Sequence, residues 1–127
     1  MIQLSKRLNA VAELLVHGID QLELVQPVLA DIGTDHAYLP VYLVQKKVVK
    51  KAYAADVRKG PLLHAKEHIE QYGLGEYIQT RLSDGGESFV PGESEVAVIA
   101  GMGGGLMEKI LSGSPEFFEK NYWGGLQ

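Results

Sequence analysis

The chain is predicted to be an α/β protein built on a parallel sheet, and three observations carry that prediction. Short apolar runs alternate with segments of helical periodicity roughly ten residues long, the signature of βαβ units. One run, Glu95–Ala100 (EVAVIA), is continuously apolar, as a strand covered on both faces should be. Each predicted strand ends in an acidic or glycine-containing turn: Asp31-Ile32-Gly33, Asp56, Ser83-Asp84-Gly85 and Ala100-Gly101-Met102-Gly103. In an open parallel sheet, ligands bind beyond the carboxyl ends of the strands.

The elements follow in order. Leu4, Leu8, Val11 and Leu15 recur at helical spacing, with Ser5 near the start and Gly18 as the expected stop. A loop over 19–27 ends at Pro27, and a first strand covers about 28–32. Leu39–Gln45 is a helix whose first turn tolerates Pro40. Lys51–Asp56 (KAYAAD) is a second strand. Gly60–Tyr72 is a helix with Leu63, Ile69 and Tyr72 on one side, stopped at Gly73. Tyr77–Leu82 and Glu95–Ala100 are the third and fourth strands, and a last helix is expected at about 105–112. Crossovers should be right-handed.

Composition narrows the possibilities. At 127 residues and 46% hydrophobic content the chain fits one domain with a substantial core. It contains no cysteine, so disulfides, Cys-ligated zinc and thiol catalysis are excluded, and a reducing, cytoplasmic compartment is expected. No apolar run reaches the ~18 residues of a membrane span. Lys6 and Arg7 precede an apolar stretch, but Glu13 interrupts it, and the pattern is an amphipathic helix rather than a signal peptide. A net charge of −4 speaks against electrostatic coating of nucleic acid, while leaving room for a local basic face.

The most informative stretch is Val28–Pro40, VLADIGTDHAYLP. A dinucleotide fingerprint needs G-x-G-x-x-G, so that bare N–H groups cradle a pyrophosphate. Here Gly33 is the only glycine in the turn, and Asp31 and Asp35 flank it. Two carboxylates repel a diphosphate and suit a cation. S-adenosylmethionine carries a sulfonium and an ammonium and no phosphate, so the turn is assigned to that cofactor. Asp31 would favour its ammonium, Asp56 would accept from the ribose hydroxyls, and Asp84 from the adenine amine. The competing reading of each Asp is a turn-former or helix cap, and for Asp35 a helix N-cap.

Four blocks carry a more specific resemblance: LSKRL at 4–8, ADIGTDHAYLP at 30–40, ADVRKGPLLHA at 55–65 and IAGMGG at 99–104. With these the chain resembles the TrmK family of bacterial tRNA (adenine(22)-N1)-methyltransferases, from residue 4 to about 112. The resemblance implies a Rossmann-like, class I S-adenosylmethionine-dependent methyltransferase fold and methyl transfer to N1 of an adenine in tRNA. Asp31, Gly33, Asp56 and Asp84, with their neighbours Thr34, Val57, Gly85 and Ala100, are then the expected cofactor residues. Asp35, His36 and Gly101 are the expected catalytic residues. A carboxylate at Asp35 would stabilise the cation that forms as N1 attacks the methyl group in line. His36 would serve as a hydrogen-bond partner or proton relay. The Gly101 carbonyl would orient the adenine amine. Tyr38, Met102 and Gly103 would line the target base, and Arg7 and Arg58, near Lys6 and Lys59, would meet tRNA phosphates.

Two further signals compete. His64-Ala65-Lys66-Glu67-His68 matches the H-x-x-E-H zinc pattern, but short patterns match often by chance, and both histidines are expected to face solvent. No metal is expected. Lys46, Lys47, Lys50 and Lys51 fall where a helix ends and a strand begins, on the side away from the cofactor.

The family's sheet runs 3-2-1-4-5-7-6, and only four strands, in the order 3-2-1-4, are recognisable. The chain is therefore expected to be the cofactor-binding half of such an enzyme, without the remaining strands and helical extension. The aromatic tail with Phe117, Phe118, Tyr122 and Trp123 and an uncovered fourth strand would promote self-association. The alternatives are a non-catalytic cofactor- or RNA-binding remnant, or another Rossmann-like nucleotide-binding protein. The missing G-x-G-x-x-G argues against a nicotinamide cofactor.

Overall fold

Ser5 opens the first helix by accepting a hydrogen bond from the Leu8 backbone N–H at 3.2 Å, which satisfies one of the donors a helix start leaves free. The computed structural model describes residues 2–84, 88–90, 93–99 and 122–123. Its elements are α1 (Lys6–Gln21), β1 (Val28–Ile32), α2 (Tyr38–Gln45), β2 (Lys51–Asp56), α3 (Lys59–Gln71), β3 (Ile78–Leu82), β4 (Val96–Ile99) and β5 (Tyr122–Trp123). The expected last helix at 105–112 lies outside the described residues.

The strands are ordered β3-β2-β1-β4-β5, and all neighbours run parallel. The predicted order 3-2-1-4 is therefore present. The expectation of an uncovered fourth strand is corrected, because β5 pairs with β4 through Val96↔Tyr122 and Ala97↔Trp123. Two residues are too few to show period-2 alternation, so this strand was not recognisable in an aromatic, glycine-rich tail. The sheet reverses direction of growth between β1 and β4, which places the switch point beside the carboxyl end of β1.

Register divides the sheet into two faces. Leu29, Ala52, Ile78 and Val96 share a row, followed by Ala54 and Val98. This row packs with the inner sides of the helices: Val11, Leu15 and Ile19 from α1, Leu39 and Leu43 from α2, and Ala65 and Ile69 from α3. Each fully buried Leu contributes roughly 1.5–3 kcal/mol. The small alanines of β2 let the helices sit close to the sheet. On the other face Tyr53 meets Phe89 edge-on at 5.6 Å, beside Arg81.

Two details of the helices differ from expectation. Gly18 does not end α1; it is buried, and the helix continues a further turn to bury Ile19. Leu63 is 64% exposed and does not share the buried side of Ile69. It lies six residues before Ile69, and six steps of ~100° place it far from the Ile69 side, where Ala65 points instead. Gly73 stops α3 as expected, with φ +69°. Among the described residues no helix is long and apolar enough to cross a membrane.

Candidate functional site

The chain leaves β1 through a turn that is held from the neighbouring strand. The N–H groups of Gly33 and Thr34 both donate to the Ala55 carbonyl at 2.8 Å. This close approach puts Gly33 at φ +78°, a conformation glycine adopts freely. Asp35 and Ala37 follow at +59° and +61°, where an L-residue other than glycine incurs roughly 1–2 kcal/mol. Ala37, not Asp35, occupies the N-cap position of α2, and no side chain caps that helix. The N-cap reading of Asp35 is therefore set aside, and its side chain stays largely in solvent, with Oδ1 3.3 Å from His36 Nδ1.

A cavity of about 300 Å³ opens beside this turn. Asp31, Gly33, Thr34, Asp35 and Tyr38 form one wall, and the start of α1 with Ser5 and Arg7 forms the other. The backbone N–H of Ile2 donates to Gln45 Oε1 at 3.0 Å, tying the N-terminal segment to the end of α2. Arg7, expected on the tRNA side, thus shares a cavity with Asp31. Residues of opposite charge thus line the same cavity.

Asp31 is the unusual group. It is 2% exposed, and Thr34 Oγ1 donates to its Oδ2 at 2.8 Å, while its Oδ1 is buried without a hydrogen-bond partner. Burial pushes the carboxyl up to about 7; the Thr34 bond pulls it down, and the charge of Asp56 adds to the rise. Asp31 lines the cavity, and a buried carboxylate with an orphaned oxygen suits a cationic ligand. A methionyl ammonium fits that description.

Asp56 is the opposite case. It is fully buried, yet Oδ1 accepts from the N–H and Nε of Arg58 at 3.0 and 3.2 Å, and Oδ2 accepts from the Asp35 N–H at 3.3 Å. The carboxylate therefore ties the β1–α2 turn to the start of α3. Arg58 is held at Nε, while its side chain remains 63% exposed. The Asp56–Arg58 contact raises the guanidinium's affinity for its proton.

The remaining expected residues divide. Val57 is exposed beyond β2, and Asp84 is exposed after β3. Neither lines the cavity. Gly85, Ala100, Gly101, Met102 and Gly103 lie outside the described residues. His36 stacks on Tyr38 with ring centroids 5.5 Å apart. Their neighbours were not anticipated: His64 and His68 of α3 lie 5.1 and 5.6 Å from the His36 ring, and His68 lies 5.0 Å from Tyr38. The expectation that both histidines simply face solvent is corrected for His68, which is half-buried against the turn. Among the described residues no group is arranged to hold a metal ion.

The third strand end is built differently. Arg81 lies against the rings of both Tyr53 and Phe89, 4.4 and 4.6 Å from their centroids, and donates twice to Glu93 at 2.7 and 2.9 Å. The Arg81 bonds hold the Glu93 carboxyl below its usual range. This clamp ties Phe89 and Glu93 to Tyr53 and Arg81 on the face of the sheet away from the helical core.

A parallel sheet with a glycine turn, an orphaned acid and a cavity at its switch point is the arrangement of a Rossmann-like domain with room for a ligand beyond its strand ends. Residues 4–123 match the Methyltransferase domain family, and the chain belongs to it. Within that class, the chain is 44% identical over 110 residues to the tRNA (adenine(22)-N(1))-methyltransferase of Bacillus subtilis, an overlap of 87% of this chain and 43% of that protein. A crystal structure of the B. subtilis enzyme superposes with a TM-score of 0.80 at 40% identity, over 95% of this chain and 47% of the other. A Streptococcus pneumoniae protein described as a candidate enzyme of the same specificity, solved with S-adenosyl-L-methionine, gives 0.81 at 38% identity, over 94% and 52%. The chain spans about half the length of these relatives.

Proposed function

We propose that this chain is the cofactor-binding portion of an enzyme that transfers a methyl group from S-adenosylmethionine to N1 of an adenine in tRNA. The observation that carries the reading is the orphaned Oδ1 of buried Asp31 on the wall of the cavity beside Gly33. The similarity to a tRNA adenine-N1 methyltransferase supplies the substrate. A tRNA substrate also supports a cytoplasmic location.

Bound in the cavity, the cofactor supplies a methyl group activated by its sulfonium. Asp31 receives the ammonium of the methionyl end, and Arg7 on the facing wall receives its carboxylate. Gly33 lets the backbone approach without a side chain intervening. Asp56 acts chiefly by holding the turn, with any remaining acceptor direction left for a ribose hydroxyl. Asp84 and Val57, with Gly85 and Ala100, are assigned to the adenosine end. Asp35 stands at the solvent mouth, where its charge stabilises the cationic methylated base. His36 and Tyr38 are assigned to the target adenine, and Gly101, Met102 and Gly103 are assigned to it on the resemblance alone. Exposed Arg58 is assigned to a tRNA phosphate. Holding the base against the methyl removes much of the entropic barrier.

Calorimetric titration of the chain with S-adenosylhomocysteine, followed by a radiolabelled methyl-transfer assay on tRNA, tests this. Saturable one-to-one binding is the expected result. A folded chain that binds none of it would overturn the proposal. Binding without transfer would confine this chain to the cofactor-binding role.

A further inference from the structure

The β1–α2 turn adopts a conformation its own residues do not favour. Asp35 and Ala37 both sit in the left-handed region although neither is glycine. Such strain persists only where the surroundings over-determine it. The near half of the turn is held by the Ala55 carbonyl and by Asp56, which accepts from the Asp35 N–H. The His36 carbonyl, between the two strained residues, meets a group from a different element: His68 Nδ1 of α3, at 2.9 Å. A carbonyl has no proton to give, so Nδ1 must carry the hydrogen.

We propose that His68 is a positioning residue, whose Nδ1–H holds the His36–Ala37 peptide and thereby sets where Asp35 and Tyr38 stand at the cavity. The inference rests on the reading of that cavity as the cofactor and target-base site. The grip is double. The same imidazole that donates to the turn also packs against the Tyr38 ring at 5.0 Å, and Tyr38 lines the cavity. One side chain, itself outside the cavity, thus controls both the backbone between the strained residues and the orientation of an aromatic wall. His64, one helical turn earlier, backs His36 from the same side of α3.

The first test does not depend on any activity. Long-range 1H–15N NMR of the imidazoles at pH 8 should show neutral His68 protonated at Nδ1. The Nε2-protonated form, which dominates in free imidazole side chains, would overturn the proposal. The second test compares His68→Asn, whose amide presents an N–H near the Nδ1 position, with His68→Leu. His68→Asn should keep S-adenosylhomocysteine affinity within about twofold of the parent, and His68→Leu should lose about tenfold, the effect of one hydrogen bond. Equal impairment of both variants would mean that ring packing alone matters, and no impairment of the Leu variant would mean that the turn holds itself; either overturns the proposal. If the parent binds no S-adenosylhomocysteine, the cofactor reading fails, and the tautomer still decides whether His68 grips the turn.

Discussion

Asp31 and Asp56 lie at the carboxyl ends of adjacent strands, both removed from solvent, and they do opposite things. Asp56 accepts three hydrogen bonds from two separate turns. Asp31 accepts one, from Thr34, and leaves an oxygen with no partner. A buried carboxylate with donors on both oxygens holds the fold together. A buried carboxylate with a bare oxygen beside a cavity destabilises the fold until a cation arrives. Burial and residue type are shared; what differs is the number of donors aimed at each carboxylate, and on that difference rests the proposal that Asp31 meets a ligand while Asp56 holds the fold.

The contrast is broken most forcefully at Asp56. Replacing it by Ala leaves the Asp35 N–H and the Arg58 donors without their acceptor, at a cost of about 3 kcal/mol. Thermal unfolding should shift down by about 10 °C. Cofactor-product binding should be lost as well, because the turn that carries Asp35 comes free. Lys47→Ala, at an exposed position where α2 gives way to β2, should change neither. Equal effects of the two substitutions would mean that the strand-end carboxylate is not the anchor.

At Asp31 the two measurements should move in opposite directions. Asp31→Asn keeps an acceptor for Thr34 and removes a charge that burial disfavours, so at pH 8 the melting temperature should rise by about 4 °C. Affinity for S-adenosylhomocysteine should fall about 30-fold, since a charge-assisted contact to the ammonium is gone. A variant that loses stability would show that Asp31 is a structural group like its neighbour.

The pH dependence sharpens the same point. Asp31 titrates near 7 in the folded chain and near ~3.9 when unfolded, so between those values the folded state holds more protons. Its effect on stability is therefore absent below about 4, becomes increasingly unfavourable up to about 7, and is constant above. A ligand ammonium favours the ionised form. Affinity should accordingly rise as pH increases towards 7 and then level off, with a proton released on binding at pH 6. Calorimetry in two buffers of different ionisation enthalpy reads that proton, and Asp31→Asn should abolish it.

Much of this was legible in the chain, and the parts that were not share a cause. KAYAAD marks its own strand because it is a continuous small apolar run between Lys51 and Asp56. Ser5 and Gly73 mark helix ends through local chemistry that depends on a few neighbouring residues. Asp31, Gly33, Thr34, Asp35 and Tyr38 could be placed together because one turn carries them all. What escaped were contacts between distant segments. The donors on Asp56, the approach of His68 to the His36 carbonyl, and the pairing of Tyr122–Trp123 with β4 all depend on how elements pack. Gly18 misled for the same reason: propensity favours a stop, and burial of Ile19 one residue on carries the helix through.

The smallest effect is expected where a carboxylate is paired but half open to water. Glu93 accepts from both terminal nitrogens of Arg81, and that guanidinium packs against two rings, so the contact is better organised than an ordinary surface ion pair. Solvent screening still limits its worth, because both side chains are about one-fifth exposed. Glu93→Gln should lower stability by about 1 kcal/mol at pH 7 and change cofactor-product affinity by less than about threefold. Its carboxyl is held below the usual glutamate range, so the contribution is present above that range and disappears as pH falls through it. Parent and variant melting curves should therefore converge in acid. A large loss of binding in Glu93→Gln would place the third strand end inside the site, beside Asp31, rather than among the contacts that support it.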